Sequence, residues 1–400
     1  MTSSYVVDEL DRTGIVLSLT SSEQRALKRV ADRVGVEWRA DGVARVFSTG
    51  NVGTVSLSPE TIISISTKLP IGNLLALASL AYQTLPIPGS VGAALVDSAE
   101  PVLEWLALLL ITQLEQLLTY GMRQNFVLVE DELPYIRGRM RFQAAPASIR
   151  RGLISCEFAD FIPDTPENQL LRSALEVLAT RRLLPGLRLR LDHLLRSFAG
   201  VSLVRASRRL IASCRITRLN QHYVPAIELC RLVIEQSGVE ADIGTVNVPA
   251  YFFPMEKVFE KAIANFLGGR LPEITCQSGR TYRPISGTPG PSLSYAADIV
   301  VGAPPHLVID TKYAPPEVRN QYGGWSLHNE HVYQVVFYAL SLGCPALLVY
   351  PRAHRDVEVS FDIEGIRVSI LTVDLRKQGL IGLDKLAEAV AGLCNIHAAA

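Results

Sequence analysis

Two carboxylates and one lysine lie at fixed spacings near residue 300. Asp298 lies within an apolar run, and Asp310 and Lys312 end the next apolar run along the chain. Carboxylate oxygens are the ligands that Mg²⁺ prefers in proteins. A lysine ammonium can orient or deprotonate an attacking water, or neutralise charge that develops on a phosphoryl group. These residue types are therefore suited to magnesium-dependent hydrolysis of a phosphodiester bond.

A β-hairpin would bring the three side chains together. Both runs are rich in β-branched residues, and the Gly-Ala-Pro-Pro break between them favours a turn. If the loop is Gly302–His306, Asp298 lies directly opposite Asp310, with Cβ atoms about 5 Å apart, and Lys312 shares their face. A shorter loop, Gly302–Pro305, would shift the register by one residue and turn Asp298 to the other face. The predicted site therefore requires the longer loop.

Two carboxylates at this separation repel each other unless one is protonated or a cation lies between them. A hard divalent cation resolves the repulsion, and Mg²⁺ needs only one or two protein carboxylates because it keeps several waters. Asp298 and Asp310 are therefore the predicted metal ligands, with Mg²⁺ as the predicted cofactor.

Helices are predicted on both sides of the hairpin, and each carries a polar pair spaced four residues apart. The upstream helix, which ends at two glycines, carries Glu256 and Glu260 on one face. Glutamates beside lysines are also typical of a solvent-exposed helix face, so two interpretations remain open. The downstream helix carries Gln334 and Tyr338, and a strand at Pro345–Tyr350 follows it.

The order of helix, hairpin, helix and strand, with these polar residues, resembles the PD-(D/E)xK nuclease superfamily and specifically its RecB-like branch. Ala297 stands where that pattern usually has proline. Other segments resemble one family in this group, McrC, the nuclease subunit of the 5-methylcytosine-specific McrBC restriction system. These segments are Phe158–Arg172, Ile136–Met140, and Ile63–Pro70 followed by Leu74–Leu77.

The resemblance implies a role for each residue of the predicted site. It implies Mg²⁺-dependent cleavage of DNA together with a partner, an AAA+ GTPase of the McrB type that recognises and translocates the DNA. The implied roles are metal binding for Asp298 and Asp310, assistance to the attacking water for Lys312, completion of the site by Glu260 (Glu256 is less favoured), and positioning of the DNA strand for Gln334 and Tyr338.

The pattern of elements predicts an α+β multidomain chain. A mixed α/β PD-(D/E)xK core is predicted at the C-terminal end, after a β-rich and helical N-terminal region and an Arg-rich middle region. The predicted regions are 1–125, 126–245, which is the Arg-rich middle region, and 246–400. The resemblance implies that the first region docks on the partner and that the third is the nuclease domain. Thr20 and Glu23 have the spacing of a capping box at a helix start, and a helix is predicted from Pro166 to Leu184.

Basic residues are concentrated in the middle region, although the whole chain has 39 basic and 39 acidic residues. From Arg137 to Arg218 there are 16 arginines and no lysine, against six acidic residues. Such a stretch is typical of a phosphate-binding surface, and also of arginines that coat exposed helices. The residues predicted to bind DNA here are Arg181, Arg182, Arg208 and Arg209.

Other chemistries lack their motifs. No Cys-x-x-Cys or His-x-x-x-His pair is present for zinc, and no Gly-x-Ser-x-Gly is present for a serine hydrolase. No phosphate-binding Walker motif is present, so a nucleotide-driven motor must be another chain. His328 and His331 are predicted to lie in a surface loop. The N-terminus has no signal-peptide pattern and the apolar run Trp105–Thr112 is too short to span a bilayer, so a cytoplasmic protein without membrane contact is expected.

Two other functions remain open from the sequence. One is a stand-alone RecB-like repair nuclease, which would cleave without a nucleotide or a partner. The other is a non-catalytic subunit that binds DNA and stimulates the GTPase of a partner.

Overall fold

The structure is a computed structural model of the 400-residue chain. It describes residues 3–9, 11, 13–39, 42–58, 60–86, 101–141, 152–236, 250–271, 274–282, 293–319, 325–377 and 380–398.

Runs of strands and runs of helices follow one another along the described chain, as expected of an α+β protein. The strands are β1 (Ser3–Asp8), β2 (Ile15–Ser18), β3 (Gly35–Trp38), β4 (Val43–Phe47), β5 (Asn51–Ser58), β6 (Thr61–Ser66), β7 (Asn125–Leu133), β8 (Arg139–Met140), β9 (Ile154–Ile162), β10 (Ala250–Pro254), β11 (Ile274–Tyr282), β12 (Leu293–Val301), β13 (Leu307–Thr311), β14 (Glu317–Arg319), β15 (Trp325–Leu327), β16 (Ala346–Pro351), β17 (Glu358–Ile363) and β18 (Ile366–Val373). The helices are α1 (Ser21–Arg29), α2 (Ile71–Ala81), α3 (Pro101–Thr119), α4 (Pro166–Ala179), α5 (Pro185–Ser197), α6 (Arg208–Ser213), α7 (Val224–Gln236), α8 (Met255–Gly268), α9 (Asn329–Leu342) and α10 (Gly382–Ala398).

The chain forms two compact units, which differ from the three predicted regions. The first unit combines residues 1–105 with residues 246–400, and the second contains residues 106–245. The N-terminal part joins the C-terminal part because β10 pairs antiparallel with β5 and completes a four-stranded sheet of order β1-β6-β5-β10. A pairing between strands so far apart in sequence leaves no local pattern from which it could be predicted.

A six-stranded sheet carries the predicted hairpin in the first unit. Its order is β11-β12-β13-β16-β18-β17, and β13, β16 and β18 run parallel. Every residue of β13 and β16 is buried, in agreement with their nearly continuous apolar runs. Helices α8 and α9 both contact β13. The predicted helices on either side of the hairpin and the strand after Pro345 are therefore confirmed.

Smaller elements complete the first unit. A three-stranded sheet, β2-β4-β3, packs its apolar side chains into one core with those of α1, β5 and β6. The capping box predicted at the start of α1 is confirmed. The Thr20 side chain accepts a hydrogen bond from the Glu23 amide, and the Glu23 carboxylate accepts one from the Thr20 amide at 3.0 Å.

The second unit contains helices α4 to α7 and a three-stranded sheet of order β7-β9-β8. The prediction of one helix from Pro166 to Leu184 was wrong in its length, because α4 ends at Ala179 and α5 begins at Pro185. A proline disfavours helical backbone at the residue before it, and it is well suited to the first position of a new helix.

Buried side chains of the segment Phe158–Arg172 form hydrogen bonds to other parts of the second unit. The fully buried Asn168 amide donates to the carbonyl oxygens of Arg123 at 2.8 Å and Pro163 at 2.7 Å. Its own oxygen accepts from the Tyr223 hydroxyl at 2.9 Å. Two of these three hydrogen bonds link residues that are distant in sequence, so this segment has a structural role.

Glu167, the neighbour of Asn168, extends this network. Its carboxylate is almost fully buried and pairs with the Arg123 guanidinium at 2.5 Å. The same carboxylate accepts hydrogen bonds from the Arg215 amide at 3.2 Å and the Asn220 side chain at 3.3 Å. A buried charge is stable only when it is paired and hydrogen-bonded in this way.

Within the described residues, one helix is long and apolar enough to cross a membrane. This helix is α3, and 72% of its most apolar 18-residue stretch is buried inside the protein. Its leucines at positions 103, 106, 109 and 110 are fully buried. The apolar composition of α3 is therefore used in a protein core.

Candidate functional site

The hairpin between β12 and β13 has the register that the site requires. Val301 lies opposite Leu307 and Ile299 opposite Ile309, so the loop is Gly302–His306. Gly302 has a φ of +88°, and a Cβ there would collide with the His306 ring, so the turn requires glycine. The longer loop is therefore confirmed, and the register continued by one pair aligns Asp298 with Asp310.

Asp310 is a fully buried carboxylate beside a buried lysine. Within the described part of the chain, neither of its side-chain oxygens accepts a hydrogen bond of normal geometry. The nearest charged partner is the Lys312 ammonium, 3.0 Å from Oδ2. Burial raises the pKa of Asp310 to about 6, and the charge of Asp298 adds to the increase although Lys312 opposes it. A carboxylate in this state is stabilised by any cation that reaches it.

Asp298 is held from across the hairpin by Thr311. Its Oδ2 accepts hydrogen bonds from the Thr311 amide at 2.8 Å and from the Thr311 hydroxyl at 2.9 Å. The two carboxylates are close enough for the charge of Asp298 to raise the pKa of Asp310. The structure therefore brings the two predicted metal ligands together.

Lys312 keeps its positive charge in this setting. Burial alone would lower the pKa of its ammonium, but the pKa is raised because the charge and hydrogen bond of Asp310, followed by the charges of Asp298 and Glu256, outweigh burial. An ammonium with a raised pKa holds its proton at neutral pH. A raised pKa suits Lys312 to charge neutralisation and to the orientation of water.

Both candidate glutamates of α8 face the hairpin. The charge of Glu260 raises the pKa of Asp310 and also that of Cys276. The charge of Glu256, which is exposed, contributes to the raised pKa of Lys312. A cluster of three or more His, Cys, Asp or Glu side chains already arranged around a metal position is not found among the described residues. The two aspartates therefore form the centre of the site, and the glutamates act on it through their charge.

Gln334 and Tyr338 form a hydrogen-bonded pair on α9. The Gln334 amide nitrogen donates to the Tyr338 hydroxyl at 2.6 Å. The Tyr338 ring is buried and stacks on Tyr295 with centroids 5.1 Å apart. The predicted shared face is confirmed, and Gln334 is the more accessible member of the pair.

One residue near the site, Tyr350, was missed from the sequence, and another, His331, was assigned to the wrong element. Tyr350 on β16 is fully buried, and its pKa is raised by burial and then by the charge of Asp310. Its hydroxyl lies 2.9 Å from Nδ1 of His331, which belongs to the first turn of α9. The surface-loop prediction for His331 was therefore wrong. Because β13 and β16 are parallel with Asp310 opposite Leu348, side-chain alternation along β16 from Leu348 was the signal that could have indicated Tyr350.

The four arginines predicted to bind DNA all lie in the second unit. Arg182, Arg208 and Arg209 are exposed, and Arg181 is partly buried. Other arginines of this region form ion pairs within the unit: Arg137 with Asp160 at 2.9 Å, Arg188 with Asp192 at 3.3 Å and Arg190 with Glu115 at 2.6 Å. Arg150 and Arg151 lie outside the described residues. Part of the arginine excess therefore has a structural role, and three of the four predicted DNA-binding residues are at the surface.

Comparison with known proteins points to one restriction system. Residues 47–351 match the family described as McrBC 5-methylcytosine restriction system component. A curated relative, the type IV methyl-directed restriction enzyme EcoKMcrBC of Escherichia coli (strain K12), is 21% identical over 284 residues, which are 66% of this chain and 80% of the relative.

One solved structure resembles the fold, and a second matches with a lower score. The first is a refined half-complex from a tetradecameric assembly of Thermococcus gammatolerans McrB AAA+ hexamers with bound McrC. It matches with a TM-score of 0.59 and 16% identity over 98% of this chain and 100% of that chain. The other is the Thermococcus gammatolerans McrBC complex, with a TM-score of 0.45, 16% identity, and coverage of 66% of this chain and 87% of that chain. Since the family match spans most of the sequence, the chain belongs to the family of McrBC 5-methylcytosine restriction system components.

Proposed function

We propose that the chain is the Mg²⁺-dependent DNA endonuclease subunit of a McrBC-like, modification-dependent restriction system that acts in the cytoplasm. The observation that carries this proposal is the buried Asp310 carboxylate, which lies beside Asp298 and the charged Lys312 in a member of this family. The element order α8, β11 to β13, α9 and β16 supports a PD-(D/E)xK core in the first unit.

A divalent cation fits the residues that would hold it. The donors of Asp298 and Asp310 are oxygens, which Mg²⁺ prefers, and both oxygens of Asp310 are buried, with the Lys312 ammonium 3.0 Å from Oδ2. Glu260 is the proposed third contributor, since its charge already acts on Asp310. When bound, Mg²⁺ neutralises charge at the phosphoryl oxygens and lowers the pKa of its bound water.

The other side chains act on the substrate and its water. Lys312 holds its proton, so it stabilises negative charge that develops at the phosphate and orients water by donating hydrogen bonds. Gln334, held by Tyr338 at 2.6 Å, is placed to contact the DNA strand with its remaining polar atoms. By positioning the DNA strand, α9 lowers the entropic part of the activation barrier to cleavage.

An AAA+ GTPase of the McrB type is the proposed partner. The Thermococcus gammatolerans McrC in the similar structure is bound to McrB AAA+ hexamers, and this chain has no Walker motif of its own. Residues 1–125 were predicted to dock on the partner. The structure supports a second candidate surface just after them, on β7 and β9, where Phe126, Leu128 and Phe161 are more than half exposed. An exposed apolar cluster of this kind is typical of a protein interface, and substitutions in each region would show which one reduces GTPase association.

Cleavage by the reconstituted pair tests the proposed function. The chain, a McrB-type GTPase, GTP and Mg²⁺ are expected to cleave methylated plasmid, and Lys312→Ala is expected to lower the rate by about 10²–10³-fold, as for other groups that stabilise a charged transition state. Arg270→Ala is the control, because Arg270 is exposed and its contacts are an ion pair with Asp384 and a cation–π contact with the Phe266 ring.

Three results would contradict this proposal. Full activity of Lys312→Ala would refute the site. Cleavage without nucleotide or partner would favour a stand-alone nuclease. DNA binding and GTPase stimulation without any cleavage would favour a non-catalytic subunit.

The exposed arginines of the second unit are proposed to bind DNA phosphates. Replacing Arg182, Arg208 and Arg209 by glutamine is expected to weaken DNA binding uniformly across sequences. The slope of log K against log salt concentration is expected to fall by about 0.9 for each lost contact. Fluorescence anisotropy at several salt concentrations measures this slope. Glutamine at Arg188 and Arg190, which pair within the unit, is the control, and an unchanged slope in the triple variant would exclude the proposed contacts.

A further inference from the structure

Thr311, the residue between Asp310 and Lys312, is linked to the site through Asp298. The regular pairs between β12 and β13 run from Val301 opposite Leu307 to Ile299 opposite Ile309. The next amide of β13 that points toward β12 belongs to Thr311, since the Lys312 amide donates to Val349 on the other side. The Asp298 carboxylate accepts from that Thr311 amide at 2.8 Å, and so occupies a place that a backbone carbonyl takes in a regular ladder.

The Thr311 side chain adds a second bond to the same oxygen. Its hydroxyl donates to Asp298 Oδ2 at 2.9 Å, and Thr311 is only 4% exposed. Two donors on one carboxylate oxygen fix the side-chain rotamer and leave the other oxygen for a ligand. Asp310, in contrast, receives no such hydrogen bond from the described residues. The surroundings of the two carboxylates therefore differ. Asp298 is oriented by two hydrogen-bond donors of Thr311, and Asp310 is buried beside Lys312.

Orientation of Asp298 is needed because the two aspartates repel each other. Mutual repulsion favours rotamers of Asp298 that turn its carboxylate away from Asp310, and those rotamers cannot share a cation with it. Hydrogen-bond donors that orient a metal ligand typically contribute 10–100-fold in metal affinity or activity.

We propose that Thr311 is a positioning residue whose hydroxyl holds the Asp298 carboxylate in the orientation that binds a divalent cation. This inference rests on the proposed function, since it concerns the same site. The main-chain amide of Thr311 donates one of the two hydrogen bonds to Asp298 in any variant. The hydroxyl donates the other, which depends on the side chain.

Thr311→Val and Thr311→Ser separate the hydroxyl from the shape of the side chain. Valine has nearly the same shape as threonine and a high strand preference, whereas serine keeps the hydroxyl. We expect Mn²⁺ binding to the full chain, measured by calorimetry, to weaken by about 10–100-fold in Thr311→Val and by less than about threefold in Thr311→Ser. The unfolding temperature of both variants is expected to stay close to that of the wild type.

Cleavage by the reconstituted pair gives a second readout. Thr311→Val is expected to need more Mg²⁺ for half-maximal rate, with a kcat at saturating Mg²⁺ close to that of the wild type. A purely structural role would instead lower kcat at all Mg²⁺ concentrations together with the unfolding temperature. Thr311→Ala serves as an additional hydroxyl-free variant if valine disturbs folding.

The outcomes distinguish this inference from the proposed function. If the wild type binds Mn²⁺ and cleaves DNA while the hydroxyl-free variants bind Mn²⁺ equally well, the role of Thr311 is refuted and the nuclease remains. If the wild type binds no Mn²⁺ and the reconstituted pair does not cleave, both are refuted. Loss of binding in Thr311→Val with retention in Thr311→Ser supports the inference.

Discussion

Asp310→Asn is expected to abolish cleavage and, at neutral pH, to stabilise the fold. Loss of the buried carboxylate removes a proposed metal ligand, and we expect the rate to fall by about 10³-fold or more. Burial raises the pKa of Asp310 in the folded protein to about 6, above its usual value of 3.8. Its ionisation therefore opposes folding at neutral pH. At about 1.4 kcal/mol per pKa unit, removing the charge raises the free energy of unfolding by at most about 3 kcal/mol.

The pH dependence of this stabilisation follows from the direction of the shift. Because the folded pKa is higher than the unfolded one, the ionised carboxylate destabilises the fold fully above pH 6. This penalty shrinks as the pH falls from 6 toward 3.8, where both states are protonated. The advantage of Asp310→Asn is therefore expected at about pH 7.5 and largely lost at about pH 4.5.

Urea unfolding in EDTA at the two pH values measures this difference. Asp384→Asn is the matched control, since Asp384 is exposed and forms only a surface ion pair with Arg270. A variant at position 310 that is less stable than the wild type at pH 7.5 would show that the carboxylate is not under electrostatic strain. Added Mg²⁺ should stabilise the wild type and leave Asp310→Asn unchanged.

Asn168→Ala is expected to lower the stability of the second unit by about 3 kcal/mol. The fully buried amide makes three hydrogen bonds, with Arg123, Pro163 and Tyr223, and each bond contributes about 1 kcal/mol. Alanine leaves two carbonyl oxygens and a hydroxyl buried without this partner. We expect a decrease of roughly 6–12 °C in the unfolding temperature of this unit, measured by differential scanning calorimetry.

Gln169→Ala is the control for this loss. Gln169 is the next residue on the same helix, and its amide makes one hydrogen bond, to Asp164 at 2.9 Å. Its replacement is expected to lower stability by less than about 1 kcal/mol. Equal effects of the two substitutions would mean that the network around Asn168 does not hold the unit together. Cleavage by Asn168→Ala at a temperature where the unit is folded should remain close to the wild-type rate.

The residues of the hairpin could be predicted because their information is local. The Gly-Ala-Pro-Pro break marks the turn and leaves two possible loop lengths. With the longer loop, alternation along two short strands aligns Asp298, Asp310 and Lys312 on one face. The helices of Glu260 and Gln334 also follow from apolar spacing within single segments. The family resemblance came from residues such as Asp164 and Asn168, whose structural role only the folded chain shows.

Long-range contacts were missing from that prediction for a physical reason. The pairing of β10 with β5 and the bond between His331 and Tyr350 depend on which segments meet in space, and no periodicity within either segment encodes this. The ionisation of Asp310 and Lys312 likewise depends on burial by several distant elements. The contact of Thr311 with Asp298 forms where the regular hydrogen-bond ladder between β12 and β13 ends. Side-chain alternation along the sequence does not distinguish this position from the rest of the strand.

The antiparallel partner of β5 is made late during synthesis. Residues 51–55 leave the ribosome roughly 200 residues before residues 250–254, which complete their sheet. At 5–20 residues per second this delay is about 10–40 s. The four-stranded sheet therefore cannot be completed until most of the chain has been translated, and Asp298, Asp310 and Lys312 follow later still. A chain that terminates before residue 250 lacks both the completed sheet and the proposed site, so only products that extend beyond Lys312 can carry that site.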